Sequence, residues 1–169
     1  MFCQNINGAR EKLDILQIVY GAFDIIFVNE HLLNEDTSTR LITSSDHRYF
    51  IYPAKSTGGR PSGGLMITVR KKYNCNLFES NDVCLAVEFS GFIAVCVYMP
   101  TNYRNDRSSQ KFASACSSLS KLLERIALTR KFCVIMDDFN TDINDNTIGH
   151  SQMSNATLPQ NFYCLQKNR

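Results

Sequence analysis

An excess of charge of either sign is missing from this chain. Its 169 residues hold 18 Lys and Arg against 16 Asp and Glu, a net charge of +2. A balance that mild leaves no electrostatic footprint of nucleic-acid binding, so composition does not name a partner. The basic residues Arg60, Arg70, Lys71, Lys72, Arg104 and Arg107 read as solvated surface charge. Cys-x-x-Cys pairs are also missing. The seven cysteines fall at positions 3, 75, 84, 96, 116, 133 and 164, an odd number. Cys84, Cys96, Cys116 and Cys133 lie inside apolar segments, where a free thiol behaves as a small hydrophobe. That argues against a disulfide framework and for a reducing, intracellular setting, nuclear or cytoplasmic rather than secreted. No signal peptide and no apolar run of membrane-spanning length is visible, so no membrane partner is expected. Asn155-Ala156-Thr157 spells a glycosylation acceptor, which without a secretory signal is read as chance. Neither an internal repeat nor a domain boundary interrupts the pattern. With 44% hydrophobic residues, the length suits a single domain with a sizeable core.

What is present is alternation of strands and helices. The pattern predicts a strand over Met1–Asn5 and a helix near Arg10–Tyr20 with Leu13, Leu16 and Tyr20 on one face, ended by Gly21. Strands follow at Asp24–Asn29, at Arg48–Tyr52 closed by Pro53, and at Leu65–Val69. Between the last two, Lys55–Gly64 is rich in Gly, Ser, Thr and Pro and reads as a mobile loop. Val83–Phe89 and Phe92–Tyr98 form a hairpin across Ser90-Gly91. A helix over Phe112–Leu128 carries apolar residues at three- and four-residue steps, and Phe132–Met136 is the next strand. Beyond Asp142 the sequence turns polar and yields no further element.

Several strands end in the same way, on polar residues. Phe132-Cys133-Val134-Ile135 runs into Met136-Asp137-Asp138-Phe139-Asn140. Period-two alternation in an extended chain puts Asp138 and Asn140 on one side, at a strand's C-terminal end, where open α/β sheets carry their sites. A carboxylate beside a carboxamide suits phosphate chemistry with a divalent cation. The first strand ends in Asn5-Ile6-Asn7-Gly8, the second in Asn29-Glu30-His31-Leu32, and a later one in Tyr98-Met99-Pro100-Thr101-Asn102. Each has a plainer reading. Asp138, Asn140, Asn5 and Asn7 are good turn formers, Glu30 can head a surface loop, and Tyr98 can be a core aromatic with its hydroxyl at the rim. His31 reads as a loop histidine, and His47 and His150 have no evident partner.

In this order the motifs resemble the endonuclease/exonuclease/phosphatase superfamily, with its DNase I-like fold, and within it the endonuclease domains of non-LTR retrotransposons. The family order is Asn-x-Asn-Gly or Asn-x-Asp-Gly, a metal-binding Glu, a Gly-Gly strand, Tyr-x-Pro and Gly-Asp-Phe-Asn. Here these are Asn5-Ile6-Asn7-Gly8, Glu30, Gly63-Gly64-Leu65-Met66-Ile67, Tyr98-Met99-Pro100 and Asp137-Asp138-Phe139-Asn140. The resemblance implies a two-sheet α/β sandwich, with residues 1–145 as its N-terminal part and 146–169 as a polar tail. It implies that Glu30, with Asn5 nearby, holds Mg²⁺ or Mn²⁺, and that Asn7 assists at the metal or the phosphate. Asp138 would orient and deprotonate the attacking water, while Asn140 and Tyr98 contact a phosphate oxygen and Asn102 contributes to substrate binding. The reaction implied is in-line hydrolysis of a phosphodiester, nicking DNA to leave a 5′-phosphate and a 3′-hydroxyl.

Two departures shape the expectation. Asp137 stands where the family has Gly, which adds charge and removes freedom at a tight strand exit. Nothing after Asn140 matches the family's closing strands and terminal Ser-Asp-His; Ser45-Asp46-His47 spells that tripeptide in the wrong place. The chain is therefore expected to be a truncated, weak or inactive copy derived from a retrotransposon. Its second sheet would be only begun and uncovered, inviting aggregation or a second chain. Rival readings are a non-catalytic remnant that binds nucleic acid or protein, and a superfamily phosphatase or lipid phosphodiesterase.

Overall fold

Alternation along each strand sorts the apolar residues into three separate cores. On β2 (Ile25–Asn29), Ile25 and Phe27 face one way and Ile26 and Val28 the other. The same division holds on β4 (Leu65–Arg70), where Leu65, Ile67 and Val69 oppose Met66. It holds again on β7 (Phe92–Tyr98), where Ala94 and Cys96 oppose Ile93, Val95 and Val97. Strands apolar on both faces must be covered on both. The middle core lies between two sheets, and each outer face is covered by a helix.

A computed structural model describes residues 1–9, 12–34, 46–55, 62–100, 106–138 and 162–166, with backbone alone at 13–15, 17, 106–109, 137–138 and 162–166. The first sheet also contains β1 (Phe2–Asn5) and β3 (His47–Tyr52), in the order β1-β2-β4-β3. β1 and β2 are parallel, and the other neighbours are antiparallel. Helix α1 (Leu13–Ala22) makes the parallel crossover and places Leu16 and Val19 against Ile26, Val28 and Met66. The second sheet holds β5 (Cys75–Ser80), β6 (Cys84–Phe89), β7, β8 (Phe132–Asp138) and β9 (Phe162–Gln166) in chain order. Helix α2 (Asp106–Leu128) crosses from β7 to its parallel neighbour β8. It packs Phe112, Ala115, Leu119, Leu122 and Ile126 on the second sheet's outer face.

The expected two-sheet α/β sandwich is the fold, with several corrections. α1 starts later than predicted and runs through Gly21, with the Phe23 N–H bonded to the Val19 carbonyl at 3.0 Å. α2 begins at Asp106, in a polar first turn that shows no apolar periodicity but suits the positive end of a helix. β5 was not predicted, because a register shift between Leu77 and Glu79 breaks the period-two pattern. β9 was not predicted either; its short apolar run sits among polar residues that mask it. The second sheet is thus not merely begun but has five strands, and β9 occupies the outer edge of β8. The loop predicted between Lys55 and Gly64 lies largely outside the described residues. The six cysteines with described side chains form no disulfide. No helix among the described residues is long and apolar enough to cross a membrane.

Candidate active site

Strand direction gathers the polar ends. In parallel register Asn5 lies beside Asn29, and Tyr98 beside Asp138, so β1, β2, β7 and β8 all end on one side of the sandwich. The two sheets are tied there by Asn29. This side chain is fully buried, donates from Nδ2 to the Val97 carbonyl at 3.1 Å, and accepts the Cys96 thiol at Oδ1 at 2.7 Å. A carbonyl can only accept, so the amide's orientation follows from its partners. Asn29 was not singled out from the sequence. An Asn on the core-facing side of an apolar strand is the signal that could have found it.

Glu30 follows directly, and the backbone turns at that point. An extended residue 30 would share the α1 side with Ile26 and Val28. Instead Glu30 is left-handed, with φ +53°. Its carbonyl accepts the Gly8 N–H at 2.8 Å, and the neighbouring Asn29 carbonyl accepts the Ile6 N–H at 3.1 Å. The turn carries the half-buried carboxylate to the mouth between the sheets. There one oxygen accepts a hydrogen bond from Asn5 Nδ2 at 2.8 Å and the other accepts the Tyr98 hydroxyl. Asn5 is itself braced, since its Oδ1 accepts the Asn7 N–H at 3.1 Å. Asn7 is exposed and left-handed, at φ +44°.

Of the residues predicted to form the site, Asn5, Glu30 and Tyr98 are in contact. Asn7 joins them through its backbone. Tyr98 presents its hydroxyl to Glu30, where the resemblance had assigned it to a phosphate. Asp138 takes the register position beside Tyr98, its side chain lying outside the described residues, as do Asn140 and Asn102. Both described histidines are engaged away from the mouth. His31 is fully buried, accepts the Leu33 N–H at Nδ1 (3.0 Å) and meets the Tyr52 carbonyl through Nε2 (3.1 Å). Burial pushes its pKa down. His47 takes the register position opposite Arg70, at the other end of the sheet, and packs at a tilt against the Tyr20 ring, so His47 lies far from Glu30. His150 is outside the described residues.

Among the described side chains at this end, the Glu30 carboxylate is the hard donor suited to a divalent cation. Each of its oxygens accepts one protein hydrogen bond and has lone-pair capacity left. Among the described residues no three His, Cys, Asp or Glu side chains cluster. The described part of the donor set, a carboxylate with spare lone pairs, fits a cation that keeps much of its own water, as Mg²⁺ does.

Comparison with known proteins gives a likeness of fold. No protein-family model matches the chain, and no curated protein does. The solved 3′ phosphatase NExo from Neisseria, bound to product DNA hairpin, superposes with a TM-score of 0.66 at 16% identity, covering 92% of this chain and 68% of that one. The 3′-5′ exonuclease NExo from Neisseria meningitidis gives the same values. The Xenopus laevis APE2 catalytic domain superposes with a TM-score of 0.70 at 12% identity, covering 90% of this chain and 65% of that one. The architecture they share with this chain is the DNase I-like α/β sandwich.

Proposed function

We propose that this chain carries the metal-dependent phosphodiester-hydrolysing site of a DNase I-like nuclease, with DNA as its substrate. The observation that carries the reading is the Glu30 carboxylate, held between Asn5 and Tyr98 where the strands of the two sheets end. A bound Mg²⁺ or Mn²⁺ would polarise a phosphoryl oxygen and offset the charge that builds on it. Glu30 would hold that ion, and Asn5 would keep the carboxylate aimed. Tyr98 would fix the second oxygen and so limit Glu30 to one orientation. Asp138, beside Tyr98 in the sheet, would take the proton of the attacking water. Asn140 would donate to the phosphate, with Asn7 and Asn102 on the substrate side. The five motifs in family order support an origin in a retrotransposon endonuclease.

Both described histidines are engaged elsewhere, and a site that works without a histidine as general acid or base loses about 10²–10⁴ in rate, so hydrolysis is expected to be slow. One observation favours a second reading, a non-catalytic module that binds nucleic acid: both Glu30 oxygens already have protein partners. The two readings separate in one experiment. Mn²⁺ binding is titrated calorimetrically in the wild type and in Glu30→Gln, and plasmid binding and plasmid nicking with Mn²⁺ are followed in parallel. Binding that depends on Glu30 supports the nuclease site. DNA binding with no Mn²⁺ affinity supports the second reading.

A further inference from the structure

We propose that His31, seated on Gly64, is a positioning residue for Glu30, and that the double glycine opening β4 serves to seat it. The inference rests on the reading of Glu30 as the metal-holding carboxylate. The turn from Glu30 to Leu33 has an unfavourable backbone. Glu30 and Leu32 are both left-handed, with φ +53° and +55°, on either side of His31. Non-glycine residues do not hold such angles unless neighbouring structure imposes them.

The imidazole supplies much of that imposition. Its Nδ1 accepts the Leu33 N–H, and an N–H can only donate, so Nδ1 is unprotonated. Nε2 therefore carries the proton and donates to the Tyr52 carbonyl, at the end of β3. The ring so spans its own loop and the neighbouring strand. Two backbone bonds then transmit the loop's position to the site. The Ala9 N–H donates to the His31 carbonyl at 2.9 Å and the Gly8 N–H to the Glu30 carbonyl at 2.8 Å, which join the loop to the segment that carries Asn5 and Asn7.

The glycines complete the seat. A Cβ at Gly64 would lie 2.6, 2.8 and 2.9 Å from Cε1, Nε2 and Nδ1 of the His31 ring, so no side chain fits beneath it. Gly64 also has φ +93°, and Gly63, at φ +74°, offers its carbonyl to the Leu32 N–H at 3.2 Å. Gly64 thus leaves room for the imidazole, and Gly63 ties the backbone that follows it.

The test compares the whole chain with His31→Phe, which keeps a ring and loses both hydrogen bonds, and His31→Gln, which retains a donor and an acceptor. Amide hydrogen exchange and Mn²⁺ titration are the readouts. In His31→Phe, exchange at Gly8 and Ala9 should quicken while the amides of β6 and β7 stay protected, and Mn²⁺ affinity should fall about 10-fold or more, as when a group bracing a metal ligand is lost. His31→Gln should recover part of both. Gly64→Ala leaves the imidazole in the chain but displaces it, and should loosen the same two amides. Unchanged protection at Gly8 and Ala9 in His31→Phe or in Gly64→Ala would overturn the inference. A wild type that binds no Mn²⁺ would sink the metal reading alone, since the exchange rates still decide what His31 holds.

Discussion

Replacing Asn29 should loosen the join between the two sheets, and the structure sets the size of the effect. Asn29→Ala removes the bond from Nδ2 to the Val97 carbonyl and leaves that buried acceptor one partner short, which costs about 1–3 kcal/mol. For a chain of this size, 1 kcal/mol corresponds to about 2–4 °C in Tm. The melting temperature should therefore fall by roughly 2–12 °C in calorimetry or circular dichroism. Asn29→Asp is the sharper variant. It keeps the shape, removes the donor and sets a carboxylate against a carbonyl, so it should be at least as destabilising at pH 7 and should partly recover when protonated. Cys96→Ala should cost less, because a thiol is a weak donor. An Asn29→Asp protein melting within about 2 °C of wild type at pH 7 would refute the tie between the sheets.

Three further outcomes follow from the same geometry. Burial pushes the pKa of both His31 and His47 down, so the unfolded chain takes up protons first. Stability should be full above the ordinary histidine pKa of about 6.5 and should decline as pH falls below it, with a flatter profile in His31→Phe; a Tm that does not change between pH 7.5 and 5.5 would contradict this. Tyr98→Phe removes the hydroxyl from Glu30, and should weaken Mn²⁺ binding several-fold in calorimetry while shifting Tm by only a few degrees. Plasmid nicking with Mn²⁺ should be slow in the wild type and undetectable in Asp138→Ala; equal rates would remove Asp138 from the site.

The sandwich was legible because its strands are strongly apolar and short-range in pattern. Ile25–Val28 and Ile93–Val97 alternate between two covered faces, and each gives the same strand under any reading. The helix after β7 was legible from Phe112 onward, where one face is buried, and illegible before it, where no residue yet signals a core. β5 and β9 were illegible for opposite reasons. A bulge disrupts the alternation of the first, and the second owes its pairing to β8, far away in sequence. In the proposed site, the strand-end chemistry of Asn5, Glu30 and Tyr98 is visible in the sequence, and the structure brings the three into contact. The local geometry could not. An alternation argument assumes an extended backbone, and the left-handed turn at Glu30 and Leu32 breaks that assumption. For the same reason His31 looked like a loop residue, although its ring is fully buried. The role of Asn29 is hard to read from the sequence because its partners, Cys96 and Val97, are brought to it only when the two sheets pack.

Whether Glu30 is a metal-holding carboxylate aimed by Asn5 and Tyr98 is decided by its charge. Calorimetric titration of Mn²⁺ into the wild-type chain and into Glu30→Gln isolates that charge, because Gln keeps the shape and removes little else. Measurable, weak binding is expected in the wild type and none in Glu30→Gln, with both proteins folded. Equal Mn²⁺ affinity in the two proteins, or none in either, would contradict that role for Glu30.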